Sequence, residues 1–517
     1  MRAFMKNSRY KGEITIYTKM FARQGFLVYL MILLVTSILP VTLFLYAYAQ
    51  TSQYIDTLYE QSNIPGMSVI VIQKGERHTF HFGRKNIHTE EQVDEYTLFE
   101  LASNSKAFTA LGILYLEKMG FIQLEDPIIK HIPSLYIAGS DNTMSNMANS
   151  ISVKHLLHHT SGIPFSAFGG LPPDESKEAL IYLEEHIKGY TLNTYPGEQF
   201  SYVSINYGLL GLIIQNITGE AFEDFIYDKV LQPLGLNHTY ILPLDSDNMQ
   251  FMAKGHKLFF TRLRSYDAPL YGGNLPAAYF VSNAKDMERW LGINLGIVEI
   301  PEFYKSLINK SHQTNTSVSS QNGLFYGFGW EADENGEYIS HGGMNPNFSS
   351  MIILNPQRQS AVCVLANVNS TYTATMARSI LNYIEGKLPE KAQGDIFILM
   401  DRLFTIAALI LFLFSCLLVY SIIRSVIAIS NKIKTKRKRS FIRIIITVVL
   451  TSLVICFNGG LFFLPTVLLG LSWSAIYVWM PISFIVAIVI LFFFMIAAWT
   501  YMIIILHFAK AHGGIIK

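Results

Sequence analysis

Four long apolar stretches constrain the fold of this 517-residue chain more than any other feature. A hydrophobic run of about 20 residues can cross a bilayer as a helix, because a helix satisfies its own backbone polar groups. The four stretches are residues 25–49, 403–423, 444–470 and 482–506. The sequence therefore predicts an extramembrane middle between one N-terminal span and three C-terminal spans.

Basic residues flank two of these stretches. Residues 1–24 carry six Lys and Arg, and the loop at 424–443 contains a dense basic run. Such a run is also typical of a nucleic-acid patch, but between two spans it fits the positive-inside rule, which puts both basic regions in the cytoplasm and the middle of the chain outside. Residues 47–49 resemble a signal-cleavage site. We favour an uncleaved anchor over a cleaved signal peptide, because the apolar run exceeds a usual signal core.

The middle of the chain is acidic, with 23 Lys and Arg against 36 Asp and Glu between residues 50 and 400. This charge argues against nucleic acid as a partner. Cys363 is the one cysteine outside the apolar stretches, so the sequence offers no disulfide framework. We predict an extracytoplasmic domain at 50–390, a linker at 391–402 and a membrane region at 403–517.

Two hairpins are predicted near the two ends of this domain. Residues 67–73 and 77–82 flank a Lys-Gly-Glu turn, and residues 348–354 and 360–366 flank a turn that begins with Asn-Pro. An amphipathic segment follows at about 373–385. Strands at both ends with a helical middle indicate an α/β domain.

Ser103 and Lys106 stand three residues apart at the start of a segment with helical apolar spacing. Residues i and i+3 share a helix face, so the lysine amine can lie beside the serine hydroxyl. A helix N-terminus also offers unpaired N–H groups to a developing oxyanion. Lysine acts as a base only where its surroundings lower its pKa. Ordinary helix capping explains the same pattern, so both interpretations stay open at this point.

Four further motifs follow this pair in order along the chain. They occupy residues 155–164, 196–204, 326–330 and 341–343. Together with residues 100–106, they resemble the serine β-lactamase and penicillin-binding-protein superfamily, and within it the class C-like branch. The resemblance extends from about residue 64 to residue 385. It implies an α/β (α+β) fold in which helices flank an antiparallel sheet and the active site faces a helical second lobe.

The resemblance also implies catalytic roles. Ser103 would be acylated, Lys106 would assist its activation, and Tyr202 would exchange protons as general base or acid. His341 and Gly343 would belong to an edge strand that lines the cleft, and the N–H groups of Ser103 and Met344 would form the oxyanion hole.

Two positions depart from the family pattern. Ser204 stands where the second motif commonly has asparagine, and Asn206 lies two residues further on. His341 stands where the third motif commonly has lysine, and a neutral imidazole holds a carboxylate less strongly than an ammonium. Both changes preserve serine chemistry but argue against efficient β-lactam hydrolysis or a strict preference for terminal D-alanine.

Three histidines in the segment 155–164, His155, His158 and His159, suggest a metal cluster by composition alone. They have no carboxylate or cysteine partner at metal-ligand spacing, so we predict no metal and no cofactor. Tyr326 and Trp330 are interpreted as packing residues, and residues 272–278 as a loop that shapes the cleft.

Motif order and topology together predict a membrane-anchored, outward-facing serine hydrolase that forms an acyl-enzyme with an amide or ester. A D-amino-acid peptide of the cell wall or a β-lactam is the expected kind of substrate. The three extra spans keep open a penicillin-binding or peptidoglycan-sensing protein that is acylated without turnover, and His341 keeps open a cell-surface esterase. The expected partners are the lipid bilayer and a small-molecule or peptide substrate, whereas the oligomeric state is not indicated.

Overall fold

A computed structural model describes residues 49–511, except for 139–148, 177, 321–322 and 391–393. The predicted N-terminal span at 25–49 therefore lies outside the described residues, apart from its last one. The chain divides into two compact units, residues 1–61 and 62–517. In the first, residues 49–61 are helical. All that follows concerns the second unit.

An eight-stranded antiparallel sheet, in the order β2-β1-β13-β12-β11-β10-β9-β8, forms the base of the catalytic domain. Both predicted hairpins are confirmed, because β1 pairs with β2 and β12 pairs with β13. The strands β1 and β13 also pair with each other, which joins the two ends of the domain within the sheet. The strands of this sheet are β1 (Gly66–Gln73), β2 (Glu76–Gly83), β8 (Thr314–Ser319), β9 (Phe325–Gly327), β10 (Glu331–Ala332), β11 (Ile339–Met344), β12 (Ser349–Asn355) and β13 (Ser360–Ala366).

Two smaller sheets complete the strands of this domain. One has the order β3-β7-β4 and the other is the hairpin β5–β6. Their strands are β3 (Phe99–Glu100), β4 (Tyr240–Ile241), β5 (His256–Phe259), β6 (Arg262–Ser265) and β7 (Phe280–Ser282).

The helix α1 is the central element of the helical lobe and packs against α5, α9 and α11. The helices α10 and α12 pack against the central strands, so the amphipathic segment predicted before residue 385 does cover the sheet. The fold is thus the predicted antiparallel sheet with a helical lobe. The helices of this domain are α1 (Ser105–Lys118), α2 (Val153–Leu157), α3 (Ser166–Gly169), α4 (Leu183–Ile187), α5 (Ile205–Thr218), α6 (Phe222–Ile226), α7 (Gln232–Leu234), α8 (Ser246–Met249), α9 (Leu275–Ala278), α10 (Ala284–Asn294), α11 (Glu302–Ser311) and α12 (Tyr372–Ile384).

Three helices in the last quarter of the chain are long and apolar enough to cross a membrane. They coincide with the three predicted C-terminal spans, although the first begins seven residues earlier than its predicted span at 403. They are α13 (Ile396–Ser430), α14 (Phe441–Leu464) and α16 (Ile482–His507), with the short helix α15 (Trp473–Trp479) between the last two.

The two ends of this helical group differ in their contacts. At the far end, the basic loop forms β14 (Lys434–Lys436), which pairs with β15 (Phe508–Lys510) after the last helix. At the near end, the buried Asp401 carboxylate of α13 accepts hydrogen bonds of 2.5 Å from the Thr261 N–H and from the Ser483 hydroxyl. Asp401 therefore joins α13 and α16 to the β5–β6 hairpin.

Candidate active site

Ser103 lies in a 3-10 turn, residues 102–104, that ends one residue before α1. The turn begins with Ala102 at φ +47°, a left-handed conformation that costs a non-glycine residue about 1–3 kcal/mol. The neighbouring Ser105 fixes this turn, because its hydroxyl donates to the Ala102 carbonyl at 2.6 Å and accepts from the Phe280 N–H at 3.0 Å. The sequence predicted a helix that starts at Ser103, whereas the structure holds the serine on a strained turn ahead of the helix.

Lys106 is completely buried beneath this turn. Its amine lies 3.1 Å from the Ser103 hydroxyl, 3.2 Å from the Ser204 hydroxyl and 3.0 Å from the Ala277 carbonyl. All three partners are uncharged oxygens, and burial lowers the pKa of Lys106 well below its ordinary value. The contacts fit a neutral amine that donates to Ala277 and Ser204 and turns its lone pair toward the Ser103 proton. This is the arrangement that a general base requires.

Close packing by the β9–β10 turn helps to bury the lysine. Gly329 has φ +82°, and a Cβ atom there would lie 2.6 Å from the backbone nitrogen of Ala107. Only glycine lets this turn come so near the first residues of α1. The amine also lies 4.9 Å from the ring centre of Tyr202 and 5.7 Å from that of Tyr207. Aromatic rings and backbone thus replace the water that would otherwise keep the lysine protonated.

Tyr202 lies beside Ser103, with its side chain within hydrogen-bond reach of the serine hydroxyl. Burial raises the pKa of Tyr202, and a hydrogen bond with Ser103 opposes that rise. The raised pKa favours the protonated phenol, so Tyr202 suits the role of proton donor better than that of base. The tyrosine ring packs on the His159 imidazole, with 4.4 Å between ring centres.

Ser204 takes the place of the family asparagine as a partner of the lysine, with the 3.2 Å contact given above. Asn206 does not reach this place. Its amide oxygen accepts from the Ser161 hydroxyl at 2.8 Å, and its amide nitrogen lies 3.1 Å from His159 Nδ1. The short serine side chain is therefore the residue of the second motif that holds Lys106.

His341 is buried, and both of its ring nitrogens have partners. The Nδ1 atom lies 2.7 Å from the Gly342 carbonyl and must donate to it, so Nε2 accepts from the Tyr326 hydroxyl at 3.0 Å. Burial and the nearby Lys106 lower the pKa of His341 to about 3. The ring is thus a neutral part of the cavity lining with no free N–H for a substrate carboxylate. Tyr326, predicted as a packing residue, also orients this imidazole.

The strand β11 lies in close contact with the 3-10 turn that carries Ser103. A Cβ atom on Gly343 would lie 2.3 Å from the Leu101 carbonyl, so this position accepts only glycine. The neighbouring strand β10 pairs with β11 only as far as Ser340, and the following residues line the cavity beside Ser103. Met344 is among these lining residues, and its N–H and that of Ser103 remain the predicted oxyanion donors.

The three histidines of the segment 155–164 have separate environments. His155 completes a capping box at the start of α2, with Nδ1 accepting from the Ser152 N–H at 3.2 Å. Burial lowers the pKa of His158 to about 4, and that of His159 well below its ordinary value. Within the described part of the chain, no three His, Cys, Asp or Glu side chains are grouped as metal ligands.

A cavity of about 530 Å³ opens above Ser103. Its lining includes Tyr202, Ser204, His341, Gly343 and Met344, so the structure brings all the predicted site residues except the buried Lys106 to one surface.

The cavity is also lined by residues that the sequence motifs did not predict. Arg378 of α12 lines it beside Glu331, and its guanidinium is the permanent positive charge of the lining. Leu471, Trp479 and Met480, which lie between α14 and α16, line it as well. No spacing rule links these residues to Ser103. The signal that the sequence does contain is the presence of two tryptophans and a tyrosine in one short loop between two apolar stretches.

A serine on a turn and a buried lysine on the helix that follows, between an antiparallel sheet and a helical lobe, are typical of serine hydrolases of the Ser-x-x-Lys type. The chain belongs to the β-lactamase family, whose Beta-lactamase profile matches residues 51–384.

Two curated relatives illustrate the range of the family. Protein flp of Staphylococcus aureus (strain MRSA252) is 28% identical over 447 residues, which cover 84% of this chain and 86% of that protein. A β-lactamase of Escherichia coli (strain K12) is 32% identical over 284 residues, which cover 54% of this chain and 68% of that protein. The alignment with protein flp is much longer than the matched domain, so that similarity extends into the flanking segments.

Solved structures agree on the fold. The octameric penicillin-binding protein homologue from Pyrococcus abyssi aligns with a TM-score of 0.57 at 26% identity, covering 69% of this chain and 81% of that one. A class C β-lactamase aligns with a TM-score of 0.56 at 21% identity, covering 67% and 97%. The class C-like resemblance predicted from the motifs is confirmed at the level of fold and family.

Proposed function

We propose that this protein is a membrane-anchored, outward-facing serine hydrolase that acts on amide or ester bonds through an acyl-enzyme at Ser103. The observation that carries the proposal is the buried Lys106 amine, 3.1 Å from the Ser103 hydroxyl and surrounded by uncharged oxygens. A lysine that only followed a helix cap would be solvated and protonated, and it would donate to Ser103. Helix capping alone therefore does not account for the burial of Lys106.

The reaction follows from these contacts. Lys106 accepts the Ser103 proton while Oγ forms a bond to the substrate carbonyl carbon, and the predicted N–H donors of Ser103 and Met344 stabilise the oxyanion. When the tetrahedral intermediate collapses, the bond to the leaving group breaks, and that group takes a proton from Tyr202. The Lys106 ammonium then returns its proton to Tyr202. Attack by water on the acyl-enzyme releases the acid and restores Ser103.

The surroundings of His341 bear on the substrate. A neutral imidazole with both nitrogens engaged does not replace the ammonium that commonly holds a substrate carboxylate in this family. Esters and amides without a carboxylate next to the scissile bond therefore suit the cleft better than β-lactams do. This observation favours the esterase reading of the same acyl-enzyme chemistry.

The basic loop supports the outward orientation. Because β14 lies at the far end of α13 from the catalytic domain, the positive-inside rule assigns these two regions to opposite sides of the membrane. Protease treatment of intact cells checks this assignment, since an outward domain is degraded without lysis and an inward one is protected.

The nucleophile is tested by treating membranes with a fluorescent fluorophosphonate and comparing wild type with Ser103→Ala. We expect labelling of the wild type and none of the variant. Equal labelling of the two proteins would exclude Ser103 as the nucleophile.

Deacylation separates the hydrolase from the acylated sensor that the extra helices also suggest. An enzyme releases a fluorescent acyl group and turns over repeatedly, whereas a sensor keeps one adduct for hours. We expect repeated turnover with a simple ester, and a stoichiometric burst without further product would contradict hydrolysis.

A further inference from the structure

The loop between the last two membrane helices, residues 470–481, is attached to the catalytic domain at several points. The Ser472 hydroxyl donates to the Gly169 carbonyl at 3.2 Å, and a Cβ atom on Gly169 would lie 2.5 Å from the Gly470 carbonyl. On the other side, the Lys257 amine donates to the carbonyls of Tyr477 at 2.6 Å and Val478 at 2.9 Å. These contacts hold the loop at a fixed position over the cleft.

This attachment gives the catalytic cavity a second kind of surface. Leu471, Trp479, Met480 and Phe397 line the cavity that contains Ser103, and we call these four residues the membrane wall. Phe168 of the catalytic domain faces the wall, with its ring centre 6.3 Å from that of Trp479. One side of the cavity is therefore aromatic and aliphatic.

The membrane wall is continuous with the membrane-spanning helices. Phe397 is the second residue of α13, and Met480 stands two residues before the start of α16. The helices α13 and α16 pack closely on each other. An apolar chain that lies along these helices in the bilayer thus has a path of apolar side chains to the nucleophile.

A hydrolase for small polar substrates does not need such a surface. Large apolar side chains at a binding site recover free energy only when they remove apolar ligand surface from water, which amounts to about a fourfold gain in affinity for each methylene buried. The cavity volume of about 530 Å³ accommodates a scissile group together with an aliphatic chain.

We propose that the membrane wall binds the aliphatic chain of an amphiphilic ester or amide that reaches Ser103 from the bilayer. This inference rests on the acyl-enzyme function proposed above and adds the substrate class. The chain belongs either to the acyl group, which is transferred to Ser103 and then to water, or to the leaving group, which departs with a proton. The chemistry balances in both cases, and the test distinguishes them.

The test uses the full-length protein in lipid nanodiscs with two ester series. p-Nitrophenyl esters from acetate to octanoate vary the acyl group, and D-alanine alkyl esters from methyl to octyl vary the leaving alcohol. We expect kcat/KM to rise severalfold for every two methylenes in one series. A flat profile in both series would overturn the proposal.

Two tryptophans of α15 give a matched pair of variants. Trp479 lines the cavity, whereas the Trp473 indole donates to the Phe462 carbonyl at 2.8 Å and is not among the lining residues. We expect Trp479→Ala to lower the ratio of kcat/KM for octyl over short substrates about tenfold, and Trp473→Ala to leave the ratio unchanged. Equal ratios in Trp479→Ala and wild type would contradict a role for the wall.

Two controls keep the outcomes separable. Met480→Ser replaces a wall residue without removing a large ring, so it repeats the test if Trp479→Ala fails to fold. Fluorophosphonate labelling reports in every sample whether Ser103 still reacts as a nucleophile. Labelling with a flat chain-length profile contradicts the amphiphile proposal alone, whereas absence of wild-type labelling contradicts the proposed function.

Discussion

The two sides of the catalytic cavity are built differently. We call Ser103, Lys106, Tyr202 and Ser204 the catalytic floor, where each position is set by the short polar contacts beneath the nucleophile turn. The side chains of the membrane wall carry no titratable group. The loop at 470–481 is held in place by hydrogen bonds to its backbone carbonyls. The difference assigns the reaction to the floor and the choice of substrate to the wall. Changes in the floor should affect every substrate, and changes in the wall should affect long ones.

The largest effect is expected from Lys106→Arg. A guanidinium stays protonated in proteins, so it keeps a positive charge but cannot accept the Ser103 proton. We expect kcat/KM to fall about 10³-fold for short and long esters alike, within the range for loss of a general base. Thermal denaturation of the purified variant separates catalytic loss from misfolding, and a folded variant with activity within tenfold of wild type would remove Lys106 as the base.

The pH profile of acylation tests the same feature without mutation. Because burial lowers the pKa of Lys106, the amine is neutral above that pKa, and the rate should fall about tenfold for each pH unit below it. Because burial raises the pKa of Tyr202, its proton is retained and no alkaline decline is expected up to about pH 10. Stopped-flow acylation rates between pH 5 and 10 measure both limbs, and a decline starting near pH 8 would contradict the donor role of Tyr202.

Ser204 is expected to have an intermediate effect. Ser204→Ala removes one acceptor of the Lys106 amine, and an unsatisfied buried N–H should lower the acylation rate about tenfold. Ser204→Asn restores an acceptor and serves as the matched control, with a rate expected within about threefold of wild type. The ratio between long and short substrates should not change in either variant, and a change would break the division between floor and wall.

Substitution of Lys257 tests whether its hydrogen bonds hold the loop of the membrane wall in place. Lys257→Met removes the donor to the Tyr477 and Val478 carbonyls, so we expect the preference for octyl substrates to fall about fivefold. Lys254→Met is the control, because Lys254 contacts the exposed Asp267 and lies three residues away. Hydrogen exchange of residues 470–481 should increase only in Lys257→Met. Equal exchange and equal preference in both variants would show that this contact does not hold the loop.

The smallest effect is expected from His341→Asn. The pKa of His341 is lowered to about 3, so the ring is neutral over the whole working range and adds no charge to the site. We expect kcat/KM for uncharged esters to change by less than about threefold, since the two imidazole hydrogen bonds that are lost, with the Gly342 carbonyl and the Tyr326 hydroxyl, lie within the cavity lining. A loss of more than tenfold with an uncharged ester would assign His341 a direct contact with the reacting group.

The sequence predicted most of the fold, and the reasons are local. Lys74 and Gly75 adopt positive φ in the first hairpin, as its turn residues indicate, and the C-terminal spans are recognisable by length and apolarity. The order of the motifs likewise predicted that Ser103, Tyr202 and His341 share one site, and all three line one cavity in the structure.

The remainder depended on long-range packing. The lowered pKa of Lys106 results from burial by elements as distant in sequence as Gly329 and Ala277, and no spacing rule encodes that environment. The loop at 470–481, which contributes three of the four residues of the membrane wall, is more than 350 residues from Ser103 and shares no motif with it. Its role is visible only once the loop at 470–481 is placed on the catalytic domain.

The proposed function requires that Ser103, and no other serine of the motif, becomes acylated. Peptide mass spectrometry after treatment with a fluorophosphonate measures this directly. Ser105→Ala removes the other hydroxyl of the motif, and because Ser105 helps to fix the turn that carries Ser103, we expect slower labelling in this variant but at the same site. We expect one adduct, on Ser103, in the wild type and in Ser105→Ala, and none in Ser103→Ala. An adduct on Ser105 or on a residue outside the cavity would contradict the proposed function.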